Sequence, residues 1–264
     1  MLLSLNSGVS ALEQFQQQLD VISNNIANVN TVGYKTASVS FADTLSETLG
    51  SNAAGSTQVG TGVTTAGISN DFTTGSLSAT GTESDLAIKG NGFFVVKNPT
   101  SGASYVTQDG EFTVDANGYM VTSGGLRLQG SAGDIQITPG TTSTATVSGY
   151  TIGTDGTVTA QLSDGTTAAG GQITLQNFSN PDQLVKEGDN LYTTTAAAGG
   201  LATAATPGAS GTGTIQSGEL EMSNVDLASQ LTALITTQRA YEANSKVVST
   251  SNDVLQTLIN LKQG

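Results

Sequence analysis

The chain has 264 residues, enough for one large domain or two smaller ones. Charged residues make up 11% of it, the net charge is −13 and only eight residues are Lys or Arg, which excludes the positive clusters that bind nucleic acid and disfavours anionic membrane surfaces. Cys and His are absent, which excludes disulfides and thiol chemistry and removes the commonest zinc ligands, general bases and nucleophiles.

The first 30 residues predict a long helix with a seven-residue apolar repeat. Sustained heptad spacing is typical of coiled coils. The helix should run from about Leu3 to Val29 and end between Asn28 and Gly33, since Asn is common at helix ends and glycine adopts positive φ readily. The apolar residues of this predicted seam are Leu5, Val9, Leu12, Phe15, Leu19, Ile22, Ile26 and Val29.

The middle of the chain alternates short β-type segments with turn signals. Residues rich in β-branched and aromatic side chains predict strands within 62–72, 84–96, 105–130 and 170–178. The segment GNGFF at 90–94 we interpret as a tight turn into a buried strand, because no helix follows it to bind an anion. Residue pairs that favour type I′ hairpin turns occur at Asp109-Gly110, Asn117-Gly118, Gly124-Gly125, Asp155-Gly156 and Asp164-Gly165.

The last 40 residues predict a second long helix of the same design, with Asn224 or Asp226 as its N-cap. Its apolar heptad positions are Leu227, Leu231, Leu234, Tyr241, Val248, Leu255 and Ile259. The two predicted seams could pack together within one chain. One helix pair cannot fully bury all of these side chains, however, which favours packing between copies. We therefore hypothesise that the chain ends become ordered only when several copies surround each helix.

Several carboxylates lie at or beside the predicted turns, namely Asp109, Glu111, Asp115, Asp155 and Asp164. Paired carboxylates can hydrolyse glycosides, and clustered ones can bind Ca²⁺. Asp before Gly is also what turn geometry favours, and the sequence has neither an EF-hand loop nor a Gly/Asp nonapeptide repeat. We therefore predict no catalytic residue, no cofactor and no metal site.

Together these elements predict an α+β, mainly β fold, in which paired long terminal helices form a coiled-coil inner layer beside an antiparallel β domain. We place the helical domain at 1–33 together with 225–264, a connecting segment with an extended β hairpin at 34–75, and the β domain at 76–224. Residues 194–214 are expected to be a loop or return arm of that domain. No apolar run approaches 18 residues and no secretory signal pattern is visible, so membrane insertion is not expected.

Three motifs in this order resemble bacterial flagellar axial proteins, the family of rod and hook subunits. They are VISNNIANVNTVGYK at 21–35, SDLAIKGNGFFVV at 84–96 and TTQRAYEANSKVVSTSNDVLQTLINLK at 236–262. The resemblance implies a structural protein whose terminal helices build an inner tube and whose β domain forms the outer layers, so that the polymer transmits motor torque. The residues that carry the motifs are Asn24, Asn25, Asn28, Gly33, Tyr34, Gln238 and Arg239.

The resemblance also implies the partners and the location of the protein. We expect a helical homo-oligomer that contacts other flagellar axial proteins, a hook or rod cap and the type III export apparatus. The chain would be exported without a cleaved signal peptide and would lie in the extracellular hook or in the rod that spans the periplasm. No nucleic acid is expected among its partners.

Within the family we favour the hook subunit, which the segments FADTLSETLG at 41–50 and VLQTLINLK at 254–262 resemble. The alternative is the distal rod subunit, which the chain length and the segment TQRAYEANSK at 237–246 suit equally well, since hook proteins usually carry a further β domain. Two functions of other classes remain open: a secreted β-rich binding module or adhesin, and a carboxylate enzyme. An adhesin needs an exposed aromatic platform, whereas the six Tyr and seven Phe are scattered along the sequence.

Overall fold

The computed structural model describes residues 2–52, 55–138, 146–199, 205–209 and 211–263 and divides the chain into two compact units. The first unit comprises Met1–Asn28, Thr36–Asp71 and Val225–Gly264, and the second comprises Val29–Lys35 and Phe72–Asn224. The chain therefore passes between the units four times, after residues 28, 35, 71 and 224. The domain boundaries given above stay a prediction.

Two long helices dominate the first unit, α1 at Leu2–Ala27 and α2 at Leu227–Gln263. They pack side by side and run antiparallel, because Gly8 lies against Val248 while Asn25 bonds to Gln230. At 1.5 Å per residue, α1 is about 39 Å long and α2 about 56 Å. Neither helix, over its described residues, is apolar enough along its length to span a membrane.

Residues close in sequence explain where α2 begins and where α1 ends. Asp226 is the N-cap of α2, as predicted, because its carboxylate accepts the Ala228 N–H at 3.0 Å. The alternative N-cap, Asn224, is wrong, since its amide instead donates to the carbonyl oxygen of Thr73 at 3.2 Å. Helix α1 ends at Ala27, two residues before the predicted end, and Gly33 has the positive φ expected beyond it, 67°.

A two-stranded ribbon completes the first unit. It is formed by β1 (Ala37–Asp43), β2 (Ser46–Asn52), β3 (Gly55–Gly60) and β4 (Val63–Asn70). Strand β1 pairs antiparallel with β4, and β2 pairs antiparallel with β3. The Thr44 N–H donates to the carbonyl of Gly62 at 3.0 Å, which continues the ladder between the two pairs of strands. Phe41 of β1 packs edge-on against Phe15 of α1, with ring centroids 6.4 Å apart.

The second unit is antiparallel β structure, with two 3₁₀ turns at Pro181–Gln183 and Ala196–Ala198. Its strands are β5 Leu77–Ala79, β6 Leu86–Lys89, β7 Phe93–Lys97, β8 Ser104–Thr107, β9 Phe112–Val114, β10 Met120–Thr122, β11 Arg127–Gly130, β12 Gly133–Asp134, β13 Val147–Ile152, β14 Thr157–Leu162, β15 Thr167–Gln172, β16 Leu175–Gln176, β17 Val185–Gly188, β18 Leu191–Thr193, β19 Thr214–Ser217 and β20 Glu219–Glu221.

The largest sheet has the order β17-β18-β8-β7-β11-β10-β9, with β12 beside β11 and β16 beside β7. Strands β13, β14 and β15 form a separate meander, β19 pairs with β6, and β20 pairs with β5. The predicted α+β, mainly β class with two terminal helices is therefore confirmed. The predicted return arm is described at 194–199, 205–209 and 211–214, where Ala205 bridges to Leu175, and residues 200–204 and 210 lie outside the described residues.

Strand β7 is the centre of the core because it is buried on both faces. Phe94 and Val96 point into the main apolar cluster, whereas Phe93 and Val95 point into a smaller cluster that includes Tyr192. Consecutive strand residues face opposite sides, so an unbroken apolar run is typical of a strand covered on both faces. The predicted turn before this buried strand is confirmed, with φ of 116° at Gly90 and 147° at Gly92.

Four of the predicted turns are hairpins, but of another type than predicted. Each has a three-residue loop in which only the glycine has positive φ, at Gly118, Gly125, Gly156 and Gly165. The glycine N–H donates to the carbonyl three residues earlier, for example from Gly165 to Leu162 at 3.0 Å. This is the pattern of a loop closed by a left-handed bulge residue, not of a type I′ turn, which needs positive φ at two residues.

The predicted hairpin at Asp109-Gly110 is wrong. Strands β8 and β9 on either side of it do not pair with each other, and Gly110 has no positive φ. The carbonyl oxygen of Leu86 occupies the space that a Cβ on residue 110 would need, and the Leu86 N–H donates to Gly110 O at 3.0 Å. Glycine is required there by a close approach of two backbone segments rather than by a turn.

Candidate assembly surface

The predicted seam on α1 is partly buried in the single chain. Ile22 is buried, with 5% of its surface exposed, and Val9 is exposed at 41%. The remaining predicted residues are half-buried, namely Leu5, Leu12, Phe15, Leu19, Ile26 and Val29. Helix α1 therefore uses part of its apolar seam within the chain and leaves part of it accessible.

Helix α2 leaves more apolar surface open. Of its predicted seam, Leu234, Val248 and Leu255 are half-buried. The other four predicted residues, Leu227, Leu231, Tyr241 and Ile259, are exposed by 37–56%. Among the described residues of the chain, α2 supplies nine of the sixteen large apolar side chains that are exposed. A surface helix in a monomer normally turns such side chains inward.

Heptad counting on α2 identified Leu227 and Leu231 but missed five other exposed apolar residues, Ile235, Val247, Val254, Leu258 and Leu261. Leu227, Leu231 and Ile235 follow each other at intervals of four residues and form one exposed ridge. A second group lies farther along and consists of Val247, Val254, Leu258 and Leu261. Intervals of four residues place side chains on one helix face, so Ile235 could have been found in the sequence as the continuation of Leu227 and Leu231.

The two helices approach closely where α1 has a glycine. Gly8 is buried, and a Cβ placed on it would lie 3.0 Å from Cγ2 of Val248. Such a distance is below ordinary van der Waals contact between carbon atoms. Gly8 lies beside the predicted seam residue Val9, and its small size sets how closely α1 and α2 pack at this level.

Asn25, a motif residue, joins three elements of the first unit. Its side chain is buried, its amide donates to the carbonyl of Ala37 at 2.8 Å, and its amide oxygen accepts the Ala37 N–H at 3.0 Å. The amide also donates to Oε1 of Gln230 at 3.2 Å. One asparagine therefore pairs with both backbone groups of the first residue of β1 and holds α1 against α2.

The motif residues Asn24, Asn28 and Gly33 contact backbone or side-chain groups at and beyond the end of α1. The Asn28 amide donates to the side-chain oxygen of Asn24 at 2.6 Å and to its carbonyl at 2.9 Å, which satisfies an acceptor in the last turn of α1. In the second unit, Gly33 packs on Asp109, whose backbone nitrogen would lie 2.8 Å from a Cβ on residue 33. Its positive φ and this contact both require glycine.

Lys35 forms a buried ion pair in the second unit. Its Nζ lies 2.6 Å from Oε1 of Glu221, and the two side chains are 1% and 2% exposed. Nζ also donates to the carbonyl of Thr73 at 2.8 Å, and the same Glu221 oxygen accepts the Gly75 N–H at 2.7 Å. No local pattern predicted this pair, because its partners are 186 positions apart and lie outside any periodic repeat.

Tyr34 lies next to this pair in the chain and is buried. The Nζ of Lys186 lies 4.3 Å from the centroid of its ring, a cation–π contact. Burial raises the pKa of the Tyr34 phenol and lowers the pKa of the Lys186 ammonium. The Val32 carbonyl accepts a hydrogen bond from the Asn190 amide at 2.7 Å, so the segment 32–35 is held along its length.

The two motif residues of α2 are on its surface. Gln238 is exposed, and Arg239 pairs with Glu242 at 2.8 Å while 76% of the arginine side chain remains exposed. Such pairs contribute little to the stability of a single chain.

Three aspartates of the turns form hydrogen bonds with backbone N–H groups. Asp115, Asp155 and Asp164 accept N–H groups of their own loops at 2.8–3.1 Å. Hydrogen bonds from Thr157 and Thr166 lower the pKa of Asp155 and Asp164, respectively, whereas burial raises the pKa of Asp109 to about 6. Within the described residues, no three acidic side chains are grouped so that they could hold a metal ion.

Three parts of the chain match models of flagellar rod and hook protein families. Residues 5–35 match the family described as "Flagella basal body rod protein". Residues 87–160 match "Flagellar hook protein FlgE/F/G D1 domain", and residues 216–261 match "Flagellar basal body rod FlgEFG protein C-terminal".

Full-length relatives agree with these matches. The chain is 42% identical over 272 residues to the flagellar basal-body rod protein FlgG of Bacillus subtilis, with complete coverage of both chains. It is 38% identical over 271 residues to the protein of the same name from Caulobacter vibrioides, covering 98% of this chain and 99% of the relative. The flagellar hook protein FlgE of Salmonella typhimurium is 25% identical over 414 residues, covering 98% of this chain and all of the relative.

The fold, the three matched regions and these relatives define a structural subunit of the bacterial flagellum, not an enzyme. More narrowly, the chain belongs to the flagellar rod and hook family of axial proteins. The resemblance seen in the sequence motifs is therefore confirmed.

We expect Asn25→Ala to lower the free energy of unfolding by about 2–4 kcal/mol, because it leaves the N–H and carbonyl of Ala37 without their partner. The matched control is Asn6→Ala, which removes an exposed asparagine amide from the same helix and should cost about 0.5 kcal/mol or less. Urea denaturation followed by circular dichroism measures both. Equal losses for the two variants would contradict the role assigned to Asn25.

Lys35→Met should lower the free energy of unfolding by about 3–5 kcal/mol, because it leaves the Glu221 carboxylate buried without its counterion. Adding Glu221→Leu should recover part of this loss, with a coupling energy of about 2 kcal/mol in the double-mutant cycle. Arg239→Met, which breaks an exposed pair, should leave stability nearly unchanged. Additive losses at residues 35 and 221 would show that the two side chains act independently.

Proposed function

We propose that this chain is the distal rod subunit of the flagellar basal body, which polymerises into a tube that transmits motor torque. The observation that carries the proposal is the full-length match to proteins named FlgG, at 42% identity with complete coverage of both chains. The hook protein matches at 25% over an alignment of 414 residues, far longer than the 264 of this chain. The hook interpretation favoured by residues 41–50 is therefore less well supported than its alternative.

The interface of the polymer, under this proposal, is made by the apolar residues of α1 and α2. Support comes from the exposed ridge Leu227, Leu231 and Ile235 and from the exposed group that ends α2. Removing such side chains from water stabilises association by about 1.5–3 kcal/mol for each one that becomes fully buried. Neighbouring copies supply the missing contacts, so each α2 helix packs against its own α1 and against helices of other copies.

The proposal also assigns partners and a location. The partners are further copies of this chain, neighbouring axial proteins, the rod cap and the type III export apparatus. The polymer spans the periplasm as part of the basal-body rod.

Deleting the gene in its own bacterium and isolating basal bodies tests the rod assignment against the hook. The deletion should give basal bodies that stop before the distal rod and bear no hook, and the wild-type gene should restore both. Basal bodies with a complete distal rod but no hook would contradict the proposal and favour the hook.

Ile235→Asp should prevent the purified chain from polymerising while leaving its circular dichroism unchanged, because this side chain is 56% exposed in the single chain. Thr236→Asp is the matched control, since it adds the same charge at the next, also exposed position of α2, away from the ridge. Sedimentation and negative-stain electron microscopy measure the polymer. If the two variants polymerised equally well, the ridge Leu227, Leu231 and Ile235 would not be part of the interface.

A further inference from the structure

A polar cleft of about 310 Å³ opens in the second unit beside the turn that joins β7 to β8. Its walls are Lys97 at the end of β7, the turn residues 98–102, and Arg127 with Asp134 on the neighbouring strands β11 and β12. The cleft contains two of the eight basic residues of a chain whose net charge is −13. It therefore concentrates positive charge on an otherwise acidic protein.

The two basic residues of the cleft oppose each other across the sheet. Arg127 of β11 and Lys97 of β7 are direct partners in the antiparallel register. Like charges directly opposite each other destabilise a pair of strands. A local arrangement that works against strand pairing is expected more often at functional sites than elsewhere.

Arg127 is held in a fixed orientation. Its guanidinium carbon lies 3.8 Å from the centroid of the Tyr119 ring, and one Nη donates to Oδ2 of Asp134 at 2.9 Å. The Gln129 amide fixes the other Asp134 oxygen at 2.8 Å. Asp134 neutralises one of the two cations, and Lys97 forms no ion pair with any residue that the structure describes. The cleft thus keeps one net positive charge beside a preorganised guanidinium.

Lys97 and Arg127 occupy paired positions of adjacent strands, and each offers a charged donor that binds carboxylate oxygens. Another copy of this chain is the occupant that charge complementarity favours, since each copy carries 21 acidic residues against eight basic ones. Some of these carboxylates stand on exposed hairpin loops, as at Asp155 and Asp164. Copies with a charge of −13 repel one another, so a defined ion pair offsets part of that repulsion where they meet.

We propose that the cleft of Lys97 and Arg127 receives a carboxylate from a second copy of this chain and so fixes the register between β units in the polymer. This proposal rests on the polymerisation proposed above. It adds a polar, directional contact in the β unit to the apolar contacts of the helices.

Self-association of the full-length chain tests the cleft, measured by sedimentation velocity at low and at high ionic strength. Lys97→Glu should weaken association at low ionic strength by about tenfold, the scale of a close interfacial charge pair. The matched control is Lys89→Glu, which changes the net charge equally at an exposed lysine of β6 and should change association by about twofold or less. Lys97→Gln should fall between wild type and Lys97→Glu, and circular dichroism verifies folding of every variant.

The outcomes separate this proposal from the one on which it rests. If wild type associates and the variants at 97 and 89 weaken it equally, the cleft is not a contact site while the polymerisation proposal stands. If wild type does not associate under any condition, polymerisation fails and the cleft proposal fails with it. Inorganic phosphate that binds the wild-type monomer but not Lys97→Glu, with association unaffected by either, would assign the cleft to a small anion and overturn the proposal.

Discussion

The buried pair of Lys35 and Glu221 is the interaction on which the arrangement of the β unit depends. The chain enters or leaves this unit through residues 29–35, 72–75 and 219–224. Lys35 donates to the Thr73 carbonyl, and Glu221 accepts the Gly75 N–H with its side chain and the Gly33 N–H with its backbone carbonyl. These hydrogen bonds join all three segments. Burying two charges is costly, and it is tolerated here because both ions are paired and further hydrogen-bonded. The pair therefore holds together the three segments at which the chain enters and leaves the β unit.

Local chemistry allowed much of the fold to be predicted. Heptad spacing gave both helices, and an aspartate before the last helix gave its N-cap, because periodicity and capping involve residues that are close in sequence. The residue pairs ending in glycine predicted the positions of four hairpins but not their turn type. A pair of residues does not show how many residues the loop contains. At Asp109-Gly110 the same signal predicted a hairpin that does not form. Glycine is needed there because the backbone of Leu86, which is distant in sequence, leaves no room for a Cβ.

Contacts between distant residues limited the prediction of the site. Asn25 was singled out only because it belongs to a family motif, and its pairing with the Ala37 backbone needs a strand that local patterns could not position. The Lys35 pair and the Lys97–Arg127 cleft depend on sheet register and on strands brought together by the fold. The exposed residues of α2 that were missed are a different case, because their spacing is visible in the sequence. Ile235 continues the four-residue spacing of Leu227 and Leu231, and Val247, Val254 and Leu261 recur every seven residues beside the predicted seam.

The loop at Asp164-Gly165 differs from the other hairpin loop of its meander, at Asp155-Gly156, in how much space surrounds its glycine. Apart from the chain neighbours of Gly165, no residue that the structure describes places an atom within 4 Å of a Cβ built on it, whereas the corresponding glycine at 156 is crowded by Ile173 and Pro207. Exposed loop tips without packing tolerate inserted sequence. A short epitope or a dye-binding peptide grafted at this tip would offer a handle for imaging single subunits without disturbing the strands beneath it.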